Sequence, residues 1–175
     1  MAMELPRAAA PLLLEFSIAF TRPTFQRGLL IAIGLLLTQG RRTLSRVLWT
    51  MGDLVDGDPS AYSRVFSRAS WCLWTCGWVL AKSVLALVPE NEPVLCPVDE
   101  TVAQHRGKHV YGKGRHFDAC RSSHAHTVHV WGHCWVVLCV MVKFPWAVQP
   151  WALPVLAALY RPREVNDAEG RRHKT

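Results

Sequence analysis

The spacing of apolar residues changes at Pro93, and this change limits the chain to folds that combine helices with strands. Before Pro93 the apolar residues recur at helical spacing, as at Leu44, Val47, Leu48 and Met51. After Pro93 they form β-branched and aromatic runs, which are typical of strands in a core. We therefore predict an α+β fold, with an N-terminal helical module followed by an antiparallel sheet.

The helical module is expected to contain four helices after an irregular segment. Residues 1–23 hold three prolines, so we expect at most a short helix there. Thr24 and Ser60 are candidate N-caps, and Gly40 is a candidate helix stop. The expected helices run from Thr24 to Gln39, from Thr43 to Met51, from Ser60 to Ala69 and from Trp71 to Val88.

Several apolar side chains of this module are expected in a core. The helix from Ser60 places Tyr62, Val65, Phe66 and Ala69 on one face. The helix from Trp71 is apolar around most of its circumference, which predicts burial. We also expect core positions, rather than a platform for stacking bases, for six tryptophans: Trp71, Trp74, Trp78, Trp135, Trp146 and Trp151.

Three strands are expected after Pro93. Val94 to Asp99 predicts a buried strand, Val128 to Phe144 a long core strand, and Trp151 to Tyr160 a third strand antiparallel to the second. Pro154 indicates an edge or a bulge in the third strand, and residues 157–159 could alternatively be helical. The tail from Arg161 is polar and is expected to have nothing to pack against.

The charge balance favours a polyanion as partner. The chain carries a formal charge of +7 with 50% hydrophobic residues, which describes a core-forming protein with a positive surface. An anionic membrane surface is the second candidate. A membrane span is not expected, because the apolar run 28–37 is well short of the ~20 residues that a span needs and the run 71–88 contains Lys82.

The cysteines and the N-terminus favour a cytoplasmic protein. The six cysteines form no Cys-x-x-Cys pair and lie mostly in apolar runs, so we expect reduced thiols. The N-terminal segment has Glu4 early, and its leucine run is soon broken by Glu15, which makes a poor secretory signal.

Two groups of basic residues are candidates for DNA contact. The two short basic helices, from Thr43 and from Ser60, resemble a helix-turn-helix. A second basic segment, from His105 to Arg121, contains three glycines. For both groups the alternative is a solvated surface. The candidate DNA-binding residues are Arg41, Arg42, Arg46, Arg64, Arg68, Arg106, Lys108, Lys113, Arg115 and Arg121.

Asp99 is the candidate metal ligand and catalytic residue. It ends an apolar stretch just before the basic segment, and Mg²⁺ prefers such carboxylate oxygens while keeping open positions for water or phosphate. The alternative is an ordinary turn aspartate. Glu100 is expected on the opposite side of the strand, because successive side chains alternate.

Four histidines and Cys134 suggest zinc, but their spacing does not. Within a strand, His129 and His133 would share a face yet lie ~13 Å apart, too far to share an ion. We expect the histidines, including His124 and His126, to line the hairpin or to contact DNA.

Four blocks of the sequence, taken in order, resemble the DDE-type transposases of bacterial insertion sequences over about residues 40 to 175. The blocks are Arg41-Arg-Thr-Leu-Ser, Ser60 to Trp71, Val98-Asp-Glu-Thr to His116, and Gly132-His-Cys-Trp-Val-Val with Pro150 to Leu156. The resemblance implies a helical DNA-binding module at 24–89, part of a ribonuclease H-like domain at 93–162 and a polar tail at 163–175.

The resemblance also implies a reaction. Asp99 matches the first carboxylate of an Asp, Asp, Glu triad that holds Mg²⁺ or Mn²⁺ for cleavage and transfer of double-stranded DNA. Asp167 and Glu169 are poor stand-ins for the other two carboxylates, because they lie in a polar tail. We therefore expect a truncated transposase that is inactive alone, with a further copy or the missing C-terminal part as partner. The alternatives are a non-catalytic DNA-binding remnant or regulator and, less favoured, a small membrane-associated protein.

Overall fold

The computed structural model describes residues 7–107, 110–161, 163–168 and 170, with backbone only at 164 and 165. The chain forms two compact units, residues 1–79 and residues 80–175. The boundary falls within the fifth helix. Each unit is described by itself.

The first unit is helical. Its helices are α1 (Ala10–Glu15), α2 (Arg22–Leu37), α3 (Leu44–Met51), α4 (Pro59–Ser67) and the start of α5 (Leu73–Leu85), with short 3-10 turns at Phe16–Ala19 and Gly52–Leu54. The prediction that α2 begins at Thr24 was wrong by two residues. Pro23 lies in the first turn, where its missing N–H is no loss, so it starts the helix and does not break the chain. No helix within the described residues is long and apolar enough to cross a bilayer.

The caps of α3 and α4 show which local signals were correctly interpreted. Helix α3 was expected to start at Thr43. Thr43 is its N-cap, one residue before the first helical residue, and its side chain accepts a hydrogen bond from the Arg46 amide at 3.4 Å. Ser60 does not cap α4. Asp58 does, accepting from the Ser60 amide at 2.6 Å, because Pro59 occupies the first helical position and moves the cap upstream.

The core of the first unit lies among α2, α3 and α4. It consists of Leu30, Ile31, Leu48, Met51, Tyr62 and Val65. The expected apolar face of α3 is confirmed. Phe66 is 62% exposed, so its predicted core position was wrong. Gly34 lets α2 approach α3 closely, since a Cβ there would lie 2.6 Å from Val47 Cγ1.

The second unit is built on a four-stranded antiparallel sheet. The strands are β1 (Val98–Gln104), β2 (Gly114–Phe117), β3 (His129–Val142) and β4 (Trp151–Tyr160). The long strand β3 pairs with β1 along one edge, and with β2 and then β4 along the other. The expected core strand and its antiparallel neighbour are confirmed, and the helical alternative for residues 157–159 was wrong.

Strand β1 differs from the prediction in position and burial. It begins at Val98 instead of Val94, so Asp99 lies near its start and not at its end. Upstream, only the carbonyls of Leu95 and Pro97 pair with β3, accepting from the Met141 and Cys139 amides. Nearly all β1 side chains are exposed, because β1 has a neighbour along one edge only and little packs over it.

The predicted irregularity at Pro154 is confirmed as a β-bulge. Leu138 pairs with Leu156 while Cys139 pairs with Pro154, so Val155 is an extra residue in β4. Proline cannot donate to the ladder, and a bulge accommodates it. The bulge turns Val155 into the core, where it is 3% exposed.

The core of the second unit lies between the sheet and the end of α5. Val84, Val140, Val142 and Val155 are buried there, with Leu80 and Ala81 packed against them. Complete burial of α5 was a wrong prediction, since Trp74 and Trp78 are 62% and 58% exposed. Trp146 and Trp151 are also exposed, at 68% and 49%.

The C-terminal part also departs from expectation. Helix α6 (Arg163–Ala168) follows β4, and Asn166 on it is buried and donates to the Arg161 carbonyl at 3.4 Å. The expectation of a tail with nothing to pack against was therefore wrong for this stretch. Glu169 lies outside the described residues.

Candidate functional site

The two faces of the sheet differ in how far they are covered. Along β3 the even-numbered residues Gly132, Cys134, Val140 and Val142 are buried, and we call their side the covered face. The odd-numbered residues point to the other side, the open face, where Trp131 is 60% exposed. Residues directly opposite in an antiparallel pair share a face, so the register assigns every other strand residue.

The two adjacent carboxylates of β1 lie on opposite faces, as predicted. Asp99 pairs with Val137 and therefore belongs to the open face, whereas Glu100 pairs with Val136 and belongs to the covered face. Asp99 is exposed, and one of its carboxylate oxygens accepts a hydrogen bond from the Glu100 amide at 2.8 Å.

Glu100 takes part in a polar group on the covered face. The Cys134 thiol lies 3.7 Å from the Glu100 carboxylate, and burial together with that negative charge raises the pKa of Cys134. His116 is 8% exposed, and its Nε2 has no hydrogen-bond partner. Burial lowers the pKa of His116, so the ring is neutral at neutral pH. Cys134 and His116 are buried in the sheet, whereas Glu100 is exposed.

The described residues do not complete a two-metal site. Asp99 and Glu100 are the only carboxylates of the four strands, and their opposite orientations keep them from sharing an ion. Within the described ranges, no three His, Cys, Asp or Glu side chains converge so that they could hold a metal. His129 and His133 both lie on the open face.

A basic recess lies at the end of the open face. It has a volume of about 640 Å³ and is lined by Gln104, His105, Arg106, Val110, Lys113 and Trp131. The Lys113 ammonium lies 5.7 Å from the centre of the Trp131 ring and donates to the Gly107 carbonyl at 2.7 Å. Among the described residues, no carboxylate forms a salt bridge with Arg106 or Lys113. The recess is therefore positive and has an aromatic wall.

Two glycines allow the strands to meet at this recess. A Cβ at Gly132 would fall far inside the contact distance of the Ala103 carbonyl, so only glycine lets β1 pass so close to β3. Gly112 has φ +69°, which favours glycine, and it turns the chain toward Lys113. The His105 amide donates to the Trp131 carbonyl at 3.1 Å and extends the pairing to the recess.

An aromatic group continues from the recess across the open face. The rings of His105 and His133 lie 4.4 Å apart, and those of His133 and Trp135 lie 6.1 Å apart. His133 Nε2 donates a hydrogen bond to the Tyr111 carbonyl at 2.7 Å. Arg161 covers the Tyr111 ring at 4.8 Å.

The basic residues proposed from the sequence occupy different settings. Arg106 and Lys113 meet at the recess, and Arg115 is exposed on the open face opposite Trp131. Arg121 pairs with Asp118 at 3.6 Å, which offsets its charge, and Lys108 lies outside the described residues. All the proposed arginines of the first unit are exposed, namely Arg41, Arg42, Arg46, Arg64 and Arg68. Of these, Arg64 donates to the Ser60 hydroxyl at 2.8 Å.

Sequence reasoning missed the aromatic part of this surface. Trp131 and Tyr111 were not singled out, and no strand was predicted within the basic segment from His105 to Arg121. The alternation along β3 did carry the signal, because Trp131 shares its parity with His129 and His133 and not with the buried Val140 and Val142.

Comparison with known proteins gives one informative match. No curated protein and no solved structure matches this chain. A family model described as DDE superfamily endonuclease matches residues 15–175, which includes every strand and all of the first unit after residue 14. Enzymes of this superfamily generally use divalent metals, and their function is of the nuclease or transposase kind. The chain therefore belongs to the DDE superfamily endonuclease family.

Proposed function

We propose that this chain takes part in DNA transposition of the insertion-sequence type, and that Asp99 is its first metal-binding carboxylate. The observation that carries the proposal is the position of Asp99. It is exposed on the open face, the same face that bears Arg115, Trp131 and the basic recess. A DNA strand whose phosphates are held by those cations would lie on the same side of the sheet as the Asp99 carboxylate.

The order of the strands supports a ribonuclease H-like arrangement. Strands β1, β3 and β4 form a three-stranded antiparallel opening in which Asp99 comes from the first strand. The helical residues before β1 would then form a DNA-binding module, with the exposed arginines of α3 and α4 facing phosphates. Domain limits at 24–89 and 93–162 remain part of this proposal.

We also propose that the chain alone does not cleave DNA. Asp99 is the only strand carboxylate on the open face, and a single carboxylate binds Mg²⁺ weakly. The remaining ligands would come from residues outside the described ranges or from another copy of the chain. Cleavage would therefore require these additional carboxylates, whereas contact with the phosphate backbone would not.

Binding of duplex DNA tests the first part of the proposal. Fluorescence anisotropy with a labelled duplex should show an affinity that falls steeply with salt. For each phosphate contact, a tenfold rise in salt concentration should lower the logarithm of the binding constant by about 0.9. Asp99→Asn should bind DNA at least as well as the wild type, because it removes a negative charge. A salt-independent affinity, or no binding, would refute the proposal.

Metal binding tests the role of Asp99. In the presence of duplex DNA, the wild type should bind more Mn²⁺ than Asp99→Asn, as followed by the electron paramagnetic resonance of free Mn²⁺. Glu100→Gln is the matched control, since Glu100 is the adjacent carboxylate on the other face. Equal Mn²⁺ binding by the wild type and Asp99→Asn would show that Asp99 is not a ligand.

A second function is a DNA-binding regulator without catalysis. The observation that favours it is the set of exposed arginines on or beside α3 and α4, which needs no metal to contact phosphate. Arg46→Ala with Arg64→Ala should then abolish DNA binding, while Asp99→Asn leaves both DNA and Mn²⁺ binding unchanged.

A further inference from the structure

The recess at the end of the open face combines an aromatic wall with two cations that form no salt bridge with a described carboxylate. Trp131 is 60% exposed although it lies in the middle of a sheet pairing, between His105 on one edge and Arg115 on the other. Arg106 and Lys113 line the same recess without a carboxylate partner among the described residues. The Lys113 ammonium lies 5.7 Å from the centre of the Trp131 ring, so a cation and an exposed indole adjoin in one recess.

The chemistry of the lining selects the occupant. An anion without a ring would contact the cations alone, and an apolar ligand would contact the indole alone. A nucleotide satisfies both, because its base stacks on an aromatic ring and its phosphate pairs with Lys or Arg. We propose that this recess holds one unpaired nucleotide of a DNA strand, with its base on Trp131 and its phosphate at Arg106 and Lys113. This inference rests on the proposed function and names the form of DNA that the open face recognises.

The position of the recess fits a strand that also passes Asp99. From Asp99 to His105 is six residues along β1, or ~20 Å at ~3.3 Å per residue. Stacked DNA advances ~3.4 Å per nucleotide along one strand, so the unpaired nucleotide would lie roughly six nucleotides from the phosphate nearest Asp99. Such an unpaired position would locate the strand relative to the carboxylate.

A base inside an intact duplex cannot reach Trp131, because its faces are stacked on its neighbours. The chain should therefore prefer DNA that already contains unpaired bases. This preference distinguishes the recess from simple phosphate contact, which an intact duplex satisfies equally well.

The test compares a short duplex with the same duplex that carries a central bubble of unpaired thymines, both measured by fluorescence anisotropy. Wild-type protein should bind the bubble more tightly. Trp131→Ala should lose about 5- to 150-fold on the bubble, which corresponds to the ~1–3 kcal/mol of one base stack, and should lose little on the intact duplex. Trp131→Phe should keep most of the preference, because the ring can still stack.

The control is Trp146→Ala, which removes a tryptophan of similar exposure in the same unit. Circular dichroism must show that each variant keeps the wild-type spectrum. If Trp131→Ala unfolds, Trp131→Leu carries the test, because leucine fills apolar space but offers no ring for a base to stack on. Equal affinity of the wild type for the two DNAs, or an equal loss on both DNAs with Trp131→Ala, would overturn the inference and leave the proposed function standing. If the wild type binds neither DNA, the proposed function and this inference both fail.

Discussion

Replacing Gly132 by alanine should destabilise the sheet, because β1 lies directly against this residue. A Cβ at Gly132 would fall inside the contact distance of the Ala103 carbonyl and lie 3.0 Å from Gln104 Cα. Both are backbone groups, so no side chain can rotate away. The two strands would have to part by roughly 1 Å, and overpacking of this kind typically costs ~1–3 kcal/mol.

The separation would also break pairing beyond the clash. The hydrogen bond from the His105 amide to the Trp131 carbonyl is 3.1 Å long and would be stretched out of range, which adds ~1 kcal/mol. We expect a total loss of roughly 2–4 kcal/mol in the free energy of unfolding of the second unit. This is a large part of the stability of a small domain.

Urea unfolding followed by far-ultraviolet circular dichroism would measure this loss. Gly28→Ala is the matched control, because nothing lies within 4 Å of a Cβ there and alanine favours a helix by about 1 kcal/mol over glycine. Gly132→Ala should therefore lower the urea midpoint for unfolding of the second unit, whereas Gly28→Ala should leave the midpoint of the first unit unchanged or raise it. An unchanged midpoint for Gly132→Ala would refute the close approach of β1 and β3.

Three further predictions concern single side chains. Asp58→Ala should lower the melting temperature, since Asp58 caps α4. The hydrogen bonds from Ser60 lower the pKa of Asp58, so the stability advantage of the wild type should be full above pH 3.8, the ordinary pKa of aspartate, and vanish as the pH falls through the lower folded pKa. Burial lowers the pKa of His116, so the wild type should lose stability as the pH falls below 6.5, and His116→Phe should show a flatter profile in pH-dependent melting. Asp99→Ala should leave the free energy of unfolding within about 0.5 kcal/mol of the wild-type value, because the Asp99 side chain is exposed. A large loss of stability would show that Asp99 is structural.

Local patterns predicted the parts of the fold that depend on local chemistry. The limits of β4 and its bulge followed from an apolar run interrupted by Pro154, which cannot donate to a ladder. The start of α3 near Thr43 and the apolar face of this helix likewise depend on a few adjacent residues. The opposite orientation of Asp99 and Glu100 followed from alternation alone.

Burial could not be predicted in the same way, because it depends on which neighbours arrive. The apolar residues Val94, Leu95 and Val98 indicated a buried strand, yet they are 50%, 60% and 62% exposed, since little packs over β1. Trp74 and Trp78 were misplaced for the same reason. Strand β2 was missed because its four residues, Gly114–Phe117, have no apolar pattern and owe their conformation to pairing with β3.

The candidate site was predicted in its charged part and missed in its aromatic part. Asp99, Arg106 and Lys113 were identified as charged residues in one stretch of sequence. Their relation to Trp131 depends on the register of β1 and β2 against β3, which brings residues 104, 113 and 131 together. No local pattern encodes that register.

The central claim is that DNA lies on the open face of the sheet, and crosslinking from two adjacent residues tests it most directly. Thr101 and Glu100 are both exposed, but Thr101 pairs with Trp135 on the open face and Glu100 with Val136 on the covered face. A photoreactive phenylalanine analogue at each position would be irradiated in the presence of duplex DNA. We expect efficient crosslinks from position 101 and few from position 100. Equal crosslinking from both positions, or crosslinking from position 100 alone, would contradict the account.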